Sequence, residues 1–256
     1  MEKAPVTVVV LTKNEEKNII DCLNSAKGWA DEIIVIDDLS TDNTVKIAQT
    51  LADKVLVKKM DIEGTHRNWA YAQAKNTWVL SLDADERLTD ELKQEISVIL
   101  SQNTKFVALT TPRRNYIGSK WVKNSGWYPS AQVKFLRKDK FRYEEVEVHP
   151  RAFIDGECGH LKGDIIHYSY KNYEDFLNKL NKQTTLEAKK WVRTGRQMSL
   201  GRASWRAVDR FFRRFIGRAG WKDGFTGFMV AFFDTVYQVM SYAKYREMKE
   251  EKNSKS

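Results

Sequence analysis

Short runs of aliphatic and β-branched residues, each closed by polar residues, recur along the first 100 positions of the chain. The runs are residues 6–11, 33–36, 55–57 and 78–82. Runs that are short and apolar throughout are typical of strands buried on both faces. Between them, apolar residues recur at helical spacing, as at Ile19, Leu23 and Ala26. Strands that alternate with helices of about ten residues predict an α/β fold with a mostly parallel sheet flanked by helices.

Polar clusters follow three of these runs, at the point where each predicted strand ends. They are residues 12–15, the pair Asp37 and Asp38, and residues 83–85. The carboxyl ends of parallel strands meet at one edge of a sheet, and ligands of such sheets bind there. We therefore expect these clusters to line one site.

The length and composition of the chain bound its domain organisation. A chain of 256 residues, 42% hydrophobic and 30% charged, is long enough for one α/β domain with an appendage. Four prolines are present, and no linker-like segment divides the chain. Beyond Phe106 the pattern changes to short strand-like runs and aromatic loops, and beyond residue 170 it becomes helical. We predict one compact domain over residues 1–170, with halves at 1–105 and 106–170, and a helical extension over 171–256.

The net charge of +9 is carried by the C-terminal part of the chain. Residues 1–170 hold 24 Lys and Arg against 25 Asp and Glu, whereas residues 171–256 hold 19 against nine. A basic extension indicates an anionic partner, either nucleic acid or an acidic membrane surface. No nucleic-acid-binding motif is present, so nucleic acid is not expected as a partner.

Aromatic residues are interleaved with basic ones between Lys189 and Lys222. This segment has eleven Lys and Arg and one acid, Asp209. The large apolar residues there include two pairs spaced four apart, Phe211 with Phe215 and Phe212 with Ile216. Aromatic side chains bordered by arginines suit the interface of an anionic membrane, which is the predicted partner. The alternative is a helical subdomain whose aromatic residues pack inward and whose arginines are solvated.

The sequence also bears on location. Two cysteines, Cys22 and Cys158, are too few for a disulfide framework and fit a reducing compartment. The N-terminal apolar run lacks a signal-peptide cleavage site, and no run reaches the roughly 18–20 apolar residues that span a bilayer. The apolar run at 225–242 contains Asp234 and Gln238, so it is predicted to be re-entrant, to lie at a membrane interface or to pack between protomers of a homo-oligomer. We expect a cytoplasmic protein, peripheral on the inner face of the cell membrane.

Chemistry is most strongly indicated at residues 83–85, where two aspartates stand two residues apart at a strand end. Mg²⁺ and Mn²⁺ take oxygen ligands and are commonly held by one or two carboxylates plus substrate phosphates. An isolated acidic pair is more often a solvated turn before a helix. The neighbouring motifs therefore decide between a metal site and such a turn. Three histidines lack the spacing of a zinc site and are interpreted as structural: His66, His160 and His167.

Four motifs in order resemble those of the inverting nucleotide-diphospho-sugar glycosyltransferases of family 2, which have the GT-A fold. They are residues 9–15 (VVLTKNE), 34–44 (IVIDDLSTDNT), 64–70 (GTHRNWA) and 78–86 (WVLSLDADE). A looser resemblance, to the lipopolysaccharide core β-glucosyltransferase branch, extends through residues 126–129, 148–150, 163–168 and 224–225. The resemblance implies a GT-A catalytic domain over 1–170, whose first half binds the nucleotide sugar and whose second half binds the acceptor.

The resemblance also implies a donor site, for which a UDP-sugar is favoured. Its residues would be Thr12, Asn14 and Glu15 at the nucleoside, Asp38 or Asp37 at the base, Arg67 at the diphosphate, Asp83 at the ribose, and Asp85 on Mg²⁺ or Mn²⁺. A guanidinium suits a diphosphate because it donates two parallel hydrogen bonds. Structural roles stay open for these residues, since Asp38 also fits a turn cap and Arg67 a solvated helix charge.

The implied reaction is a direct displacement at the anomeric carbon, which needs a base for the acceptor proton and a cation for the departing diphosphate. The related branch carries a His-Glu pair where this chain has His149-Pro150. Glu144, Glu145, Glu147 and His149 remain nearby. If residues 145–148 form a strand, Glu145 and Glu147 share one face, and Glu147 is the first candidate base and His149 the second. Trp127, Tyr128 and Gln132 offer flat and polar surfaces for an acceptor, although aromatic rings also build cores.

These observations predict an inverting glycosyltransferase that moves a sugar to a hydroxyl of a membrane-linked glycan such as lipopolysaccharide core. The alternative is another nucleotide-sugar enzyme or a nucleotidyltransferase that uses the same sheet and carboxylates. A dinucleotide-binding oxidoreductase is disfavoured because no G-x-G-x-x-G follows the first strand, and a nucleic-acid-binding protein is the least favoured reading.

Overall fold

The structure is a computed structural model that describes residues 3–102, 104–146 and 150–254. The chain divides into two compact units. The first, which we call the sheet unit, comprises Met1–Arg113 and Ser130–His167. The second, the helical unit, comprises Arg114–Pro129 and Tyr168–Ser256.

The sheet unit is built on a seven-stranded sheet. In chain order the strands of the protein are β1 (Ala4–Thr12), β2 (Ala30–Asp37), β3 (Lys54–Val57), β4 (Trp78–Asp83), β5 (Glu86–Leu88), β6 (Phe106–Thr111), β7 (Arg113–Ile117), β8 (Lys120–Trp121), β9 (Gln132–Arg137), β10 (Phe141–Tyr143), β11 (Ala152–Ile154), β12 (Glu157–His160) and β13 (Ile165–Tyr170). The seven lie in the order β12-β6-β9-β4-β1-β2-β3. Strands β4, β1, β2 and β3 are parallel, and β9 is antiparallel to β4 and β6. The predicted mostly parallel sheet flanked by helices is confirmed.

Helices cover both faces of this sheet because its strands are apolar on both sides. The helices are α1 (Ile19–Ala26), α2 (Thr44–Ala48), α3 (Glu63–Ala72) and α4 (Asp90–Ser101). Val8 and Val10 of β1 pack in one cluster with Leu23 of α1. Val9 points to the opposite face, as strand geometry requires, and packs in a second cluster with Tyr71 of α3.

The register of the parallel strands aligns their carboxyl ends. Leu11 lies beside Asp83 of β4, and Thr12 lies beside Asp37 of β2. The residues that follow β1, β2 and β4 therefore emerge at one edge of the sheet, as the strand pattern predicts.

The helical unit contains three long helices, α5 (Tyr173–Arg193), α6 (Leu200–Phe212) and α7 (Gly224–Ser254). A π-helical turn at Arg213–Gly217 and a 3₁₀ turn at Gly220–Asp223 connect α6 to α7. Phe176 and Leu180 of α5 pack against Val230 and Phe233 of α7. Within the described ranges, no helix combines the length and the apolar character needed to span a bilayer.

The segment 114–129 belongs to the helical unit although it precedes the helices in the chain. The backbone N–H and the side-chain amide of Asn124 both donate to the carboxylate of Asp223, at 2.7 and 3.0 Å. The guanidinium of Arg214 donates to the carbonyl of Ser125. These bonds fasten the segment to the turns between α6 and α7.

Candidate active site

A cleft of about 400 Å³ opens at the carboxyl ends of β1, β2 and β4, beside the start of α3. Its walls include six of the predicted donor-site residues: Thr12, Glu15, Asp38, Arg67, Asp83 and Asp85. Because these residues come from three strand ends and one helix, the fold gathers side chains that are up to 73 positions apart in the sequence.

Asp37 is the last residue of β2, and Asp38, which follows it, lines the cleft. Its Oδ2 accepts a hydrogen bond from Lys13 Nζ and its Oδ1 accepts one from the Met60 backbone N–H, both at 2.8 Å. Burial by itself would raise the pKa of Asp38, but the Lys13 ammonium and the Met60 N–H outweigh it and hold the pKa below its usual range. Asp38 is thus a fixed, ionised acceptor in the cleft wall.

Asp37 and Asn14 shape the cleft from behind. Asp37 is fully buried, and its carboxylate accepts hydrogen bonds from the backbone N–H and the hydroxyl of Ser40. Asn14 adopts a positive φ of 54°, and its side-chain oxygen accepts a hydrogen bond from the Thr41 N–H at 2.8 Å. These bonds hold the loop after β2 against the end of β1, and neither residue is part of the cleft lining.

Two buried polar atoms in the cleft walls lack hydrogen-bond partners in the described part of the chain. They are the hydroxyl oxygen of Thr12 and Nδ1 of His66. Burial lowers the pKa of His66, and the nearby cations of Lys58 and Arg67 act in the same direction against the opposing Asp38 carboxylate. A buried polar group without a partner costs about 1–3 kcal/mol, so a polar ligand that pairs with these atoms gains affinity from them.

Behind the cleft lies a network of buried charges centred on Lys134 of β9. Its ammonium donates to Asp83 Oδ2 at 2.9 Å and to Glu86 Oε2 at 2.6 Å, while Arg67 approaches Asp83 Oδ1 at 3.4 Å. Burial would raise the pKa of Asp83, but the charges of Lys134 and Arg67 prevail and hold it well below its usual range. For Lys134, burial would lower the pKa, yet the two carboxylates raise it. Asp83 is therefore held as an oriented anion.

The second aspartate of the motif has a different neighbour. Asp85 Oδ2 lies 3.5 Å from Nε2 of His167, and the two side chains are 20% and 18% exposed. Pairing of β13 with β5, which sets His167 beside Glu86, brings this histidine to the site. The lack of zinc-site spacing predicts a structural role for His167. The sequence signal for its place in the site is its position in the segment 163–168, which resembles the glucosyltransferase branch.

The side chains of Asp85 and His167 fit a divalent cation that needs only one or two protein ligands. A carboxylate oxygen and an imidazole nitrogen are both ligands for Mn²⁺-type ions, and Mg²⁺ and Mn²⁺ usually complete their shells with phosphate oxygens and water. Within the residues described by the structure, no three or more His, Cys, Asp or Glu side chains converge on one point.

A second cavity, of about 320 Å³, shares Glu63 and Arg67 with the cleft. Gln132, one of the predicted acceptor residues, lines this cavity together with Lys134, Tyr143 and Pro150. The candidate bases Glu147 and His149 lie outside the described residues.

The flanking chain of those candidates is nevertheless close to the site. The backbone N–H of Gly64, at the start of α3, donates to the carbonyl of Val146 at 3.4 Å. A Cβ at Gly64 would overlap the carbonyl of Glu144, so only glycine permits this approach. Pro150, on the other side of the candidates, lines the second cavity.

The other two predicted acceptor residues belong to the helical unit. Trp127 is partly buried and packs on the rings of Tyr170 and Phe176, with centroid distances of 5.9 and 6.0 Å. Tyr128 is 37% exposed and meets Trp121 edge-on at 5.6 Å. In this unit Trp127 is a core residue, whereas Tyr128 presents part of its ring at the surface.

Comparisons with known proteins agree with the motifs. The family described as glycosyl transferase family 2 matches residues 7–158. An uncharacterized glycosyltransferase of Rickettsia typhi is 30% identical over 254 residues, which cover 95% of this chain and 87% of that protein. The lipopolysaccharide core biosynthesis glycosyltransferase LpsC of Rhizobium meliloti is 24% identical, covering 94% of this chain and 92% of that one.

A solved structure shares the fold. The mannosyltransferase PcManGT of Pyrobaculum calidifontis, solved in complex with GDP-Man and Mn²⁺, superposes with a TM-score of 0.56 over 96% of this chain and 88% of its own, at 12% identity. At this level of identity the likeness concerns the fold alone.

Proposed function

Because the chain belongs to glycosyl transferase family 2 and is a glycosyltransferase with the GT-A fold, we propose that its cleft binds a nucleotide-diphosphate sugar. The enzyme transfers the sugar, with inversion at the anomeric carbon, to a hydroxyl of a membrane-linked glycan. The observation that carries the proposal is the gathering of six family-motif side chains in the walls of one cleft. A glycan of the lipopolysaccharide core type is supported by the likeness to LpsC over nearly the whole chain.

For the donor, the nucleoside lies between the ends of β1 and β2, with a UDP-sugar favoured. The fixed carboxylate of Asp38 accepts from an N–H of the base, and the unpaired Thr12 hydroxyl supplies a further hydrogen bond. Glu15 borders the same pocket. Asn14 and Asp37 act in donor binding by holding the loop after β2 in place.

The diphosphate and ribose lie over the carboxyl end of β4. Asp83 is kept ionised by Lys134 and Arg67, and so accepts from a ribose hydroxyl. Arg67, in the wall between the cleft and the second cavity, directs its guanidinium at the diphosphate. Asp85 and His167 are the residues that would hold Mg²⁺ or Mn²⁺, and the cation, when bound, neutralises charge on the departing diphosphate.

For the acceptor, we propose that residues 106–170 carry most of the contacts, with residues 1–105 given to the donor. Gln132 lines the second cavity next to Arg67, a position suited to a hydroxyl-rich ligand. Tyr128 offers an exposed ring in the helical unit. Trp127 precedes Tyr128 in the chain and packs in the core of that unit, so its proposed effect on the acceptor is indirect.

The acceptor proton is taken by Glu147 or, failing that, by His149. The residues on either side of these candidates support the assignment. The carbonyl of Val146 accepts a hydrogen bond from the backbone N–H of Gly64 at the start of α3, and Pro150 lines the second cavity beside Arg67. A carboxylate there completes the direct displacement, since the hydroxyl loses its proton as the anomeric carbon is attacked.

We place the enzyme in the cytoplasm, peripheral on the inner face of the cell membrane, where a lipid-linked acceptor and soluble nucleotide sugars meet. The basic residues of the extension 171–256 supply the attraction to an anionic surface. A homo-oligomer remains compatible with this arrangement.

Binding of UDP to the two aspartate variants tests the donor site. Asp38→Asn should weaken UDP affinity by roughly tenfold or more, the scale of one hydrogen bond to a charged group, with little change in melting temperature. Asp37→Asn, the comparison variant, should lower the melting temperature because it loosens the buried contact with Ser40, and its loss of UDP affinity should be smaller than that of Asp38→Asn. Calorimetric titration with UDP separates them, and unchanged affinity in folded Asp38→Asn would remove Asp38 from the donor site.

A further inference from the structure

The helical unit carries a row of outward-facing apolar side chains along α6 and the turn that follows. Trp205, Phe212 and Ile216 are 71%, 55% and 59% exposed, and Val208 extends the row between the first two. They stand three or four residues apart, which keeps them on one helix sector. The opposite side of α6 is its buried side, with Ala203 and Ala207 against the rest of the unit.

A second row lies on α7. Phe225, Phe228 and Phe232 are 68%, 38% and 43% exposed, and their rings follow one another at 6.4 and 6.1 Å. These three phenylalanines are again separated by three and four positions, so the row runs along the helix axis. A helix that exposes this many aromatic rings has a face that water solvates poorly.

The two rows join into one surface. Phe211 and Phe215 are half-buried, and both contact the ring of Phe228, at 5.9 and 6.0 Å. They form the bridge between α6 and α7 rather than the outermost layer. We call the joined surface the aromatic face and define it by Trp205, Phe212, Ile216, Phe225, Phe228 and Phe232.

Basic side chains accompany the aromatic face. Arg202, Arg218 and Lys222 are exposed on the same helix and turns, and within the described ranges none of the three has an ion pair with a carboxylate. Three acids lie in this region: Asp209 pairs with Arg213, Asp234 pairs with Arg214, and Asp223 accepts hydrogen bonds from Asn124. The region therefore presents apolar rings and uncompensated positive charge together.

Exposed apolar rings together with unpaired positive charge distinguish between a second copy of the chain, a nucleic acid and a lipid bilayer as the binding partner. A second copy of the chain, docked by the same face about a two-fold axis, would bring like charges together, which disfavours association. Aliphatic Ile216 and Val208, half or more exposed, have no base-stacking role that a nucleic-acid groove would need. An anionic bilayer matches both properties, since its headgroups pair with Arg and Lys and its interface accepts Trp and Phe.

We propose that the aromatic face docks the enzyme on an anionic lipid bilayer, with the rings entering the interface and the flanking cations contacting phosphate headgroups. The proposal deepens the membrane-linked acceptor of the proposed function, on which its biological purpose rests. Lipid binding itself needs neither donor nor catalysis, so the two can fail separately.

Vesicle co-sedimentation of the full chain tests the docking. We expect wild type to bind phosphatidylglycerol-phosphatidylcholine vesicles and to bind pure phosphatidylcholine much more weakly. Phe212→Ser with Ile216→Ser should reduce the affinity for the anionic vesicles by about tenfold or more, since binding scales with the apolar area inserted. Val98→Ser with Leu177→Ser is the matched control, because these side chains are 53% and 47% exposed elsewhere, and it should bind as wild type does.

Charge provides an independent variant. Arg202→Gln with Lys222→Gln should weaken binding to anionic vesicles and reduce its dependence on salt. The proposal is overturned if wild type ignores the anionic vesicles, if it binds both vesicle types equally, or if the folded Phe212/Ile216 variant binds unchanged. Two further results would overturn the proposal. One is a wild-type dimer that the Phe212/Ile216 variant converts to a monomer. The other is salt-sensitive RNA binding that the Phe212/Ile216 variant loses while it keeps vesicle binding. Sugar transfer to a soluble acceptor should be unaffected in the variant, and a failure of that reaction in wild type would bear on the proposed function alone.

Discussion

Nε2 of His167 lies 3.5 Å from Oδ2 of Asp85. The two residues are brought together by antiparallel pairing of β13 with β5, which places His167 opposite Glu86. The neighbouring Asp83 is paired with Lys134 and Arg67, whereas the side chain beside Asp85 is an imidazole. In the proposed donor site, Asp83 is accordingly assigned to the nucleotide and Asp85 to the cation.

We expect His167→Ala and Asp85→Asn each to weaken Mn²⁺ binding in the presence of UDP. Loss of residues that merely support a metal ligand already costs roughly 10–100-fold in affinity, and loss of a ligand should cost at least that. Mn²⁺ affinity measured by electron paramagnetic resonance titration is the readout. His160→Ala, whose ring bonds to Thr110 on the edge of the sheet, is the control, and His167→Ala with wild-type Mn²⁺ affinity would rule His167 out as a ligand.

Lys134→Met should destabilise the protein strongly. The side chain is 4% exposed and faces Glu86, which is fully buried, as well as Asp83. Breaking a buried ion pair by removing one partner costs about 3–5 kcal/mol, and we expect the lower end because a third of the Asp83 side chain remains exposed. Urea unfolding gives the free energy directly. The control is Lys105→Met at an exposed pair with Glu157, where a loss as large as that of Lys134→Met would contradict the account.

The motifs at the strand ends could be predicted because local sequence determines them. Short runs rich in β-branched residues, such as residues 6–11, favour buried strands, and parallel pairing then aligns their ends, as for Thr12 and Asp37. The partnership of Asp85 with His167 depends instead on a long-range antiparallel pairing. Nothing in the spacing of the histidines encodes that pairing.

The same distinction explains the buried charges and the aromatic residues. Lys134 occurs in a strand whose alternation is compatible with a solvated face, and only the position of β9 between β4 and β6 buries it. In the helical unit, the four-residue spacing of the apolar pairs predicts membrane contact equally for Phe211 and Phe212. Packing against Phe228 separates them, since it half-buries Phe211 and leaves Phe212 exposed.

Stability should depend on pH through His66. The ring is 4% exposed and burial lowers its pKa, so the unfolded chain binds a proton on this histidine more readily than the folded protein does. The resulting stability is complete above the unfolded pKa of about 6.5 and is lost as pH falls below it. Urea unfolding of wild type between pH about 7.5 and about 5 should therefore show a steeper loss than His66→Gln, and equal slopes would contradict burial of a neutral ring.

Glu147→Gln should lower turnover far more than donor affinity. A general base contributes on the order of 10²–10⁴-fold to rate, whereas binding of the nucleotide involves the opposite end of the donor. Turnover and UDP affinity measured on the same variant separate these effects. Wild-type turnover would transfer the role to His149, for which His149→Gln is the corresponding variant, or to Glu145.

The central claim is that the protein transfers a sugar from a nucleotide-sugar donor. The most direct test is to analyse the products that wild type forms from a panel of nucleotide sugars and a lipopolysaccharide-core acceptor. We expect release of nucleoside diphosphate in equal amount to sugar gained by the acceptor, dependence on Mn²⁺ or Mg²⁺, and loss of transfer in folded Asp85→Ala. Release of pyrophosphate in place of nucleoside diphosphate would identify a nucleotidyltransferase and contradict the account, and so would near-wild-type transfer by Asp85→Ala at saturating metal.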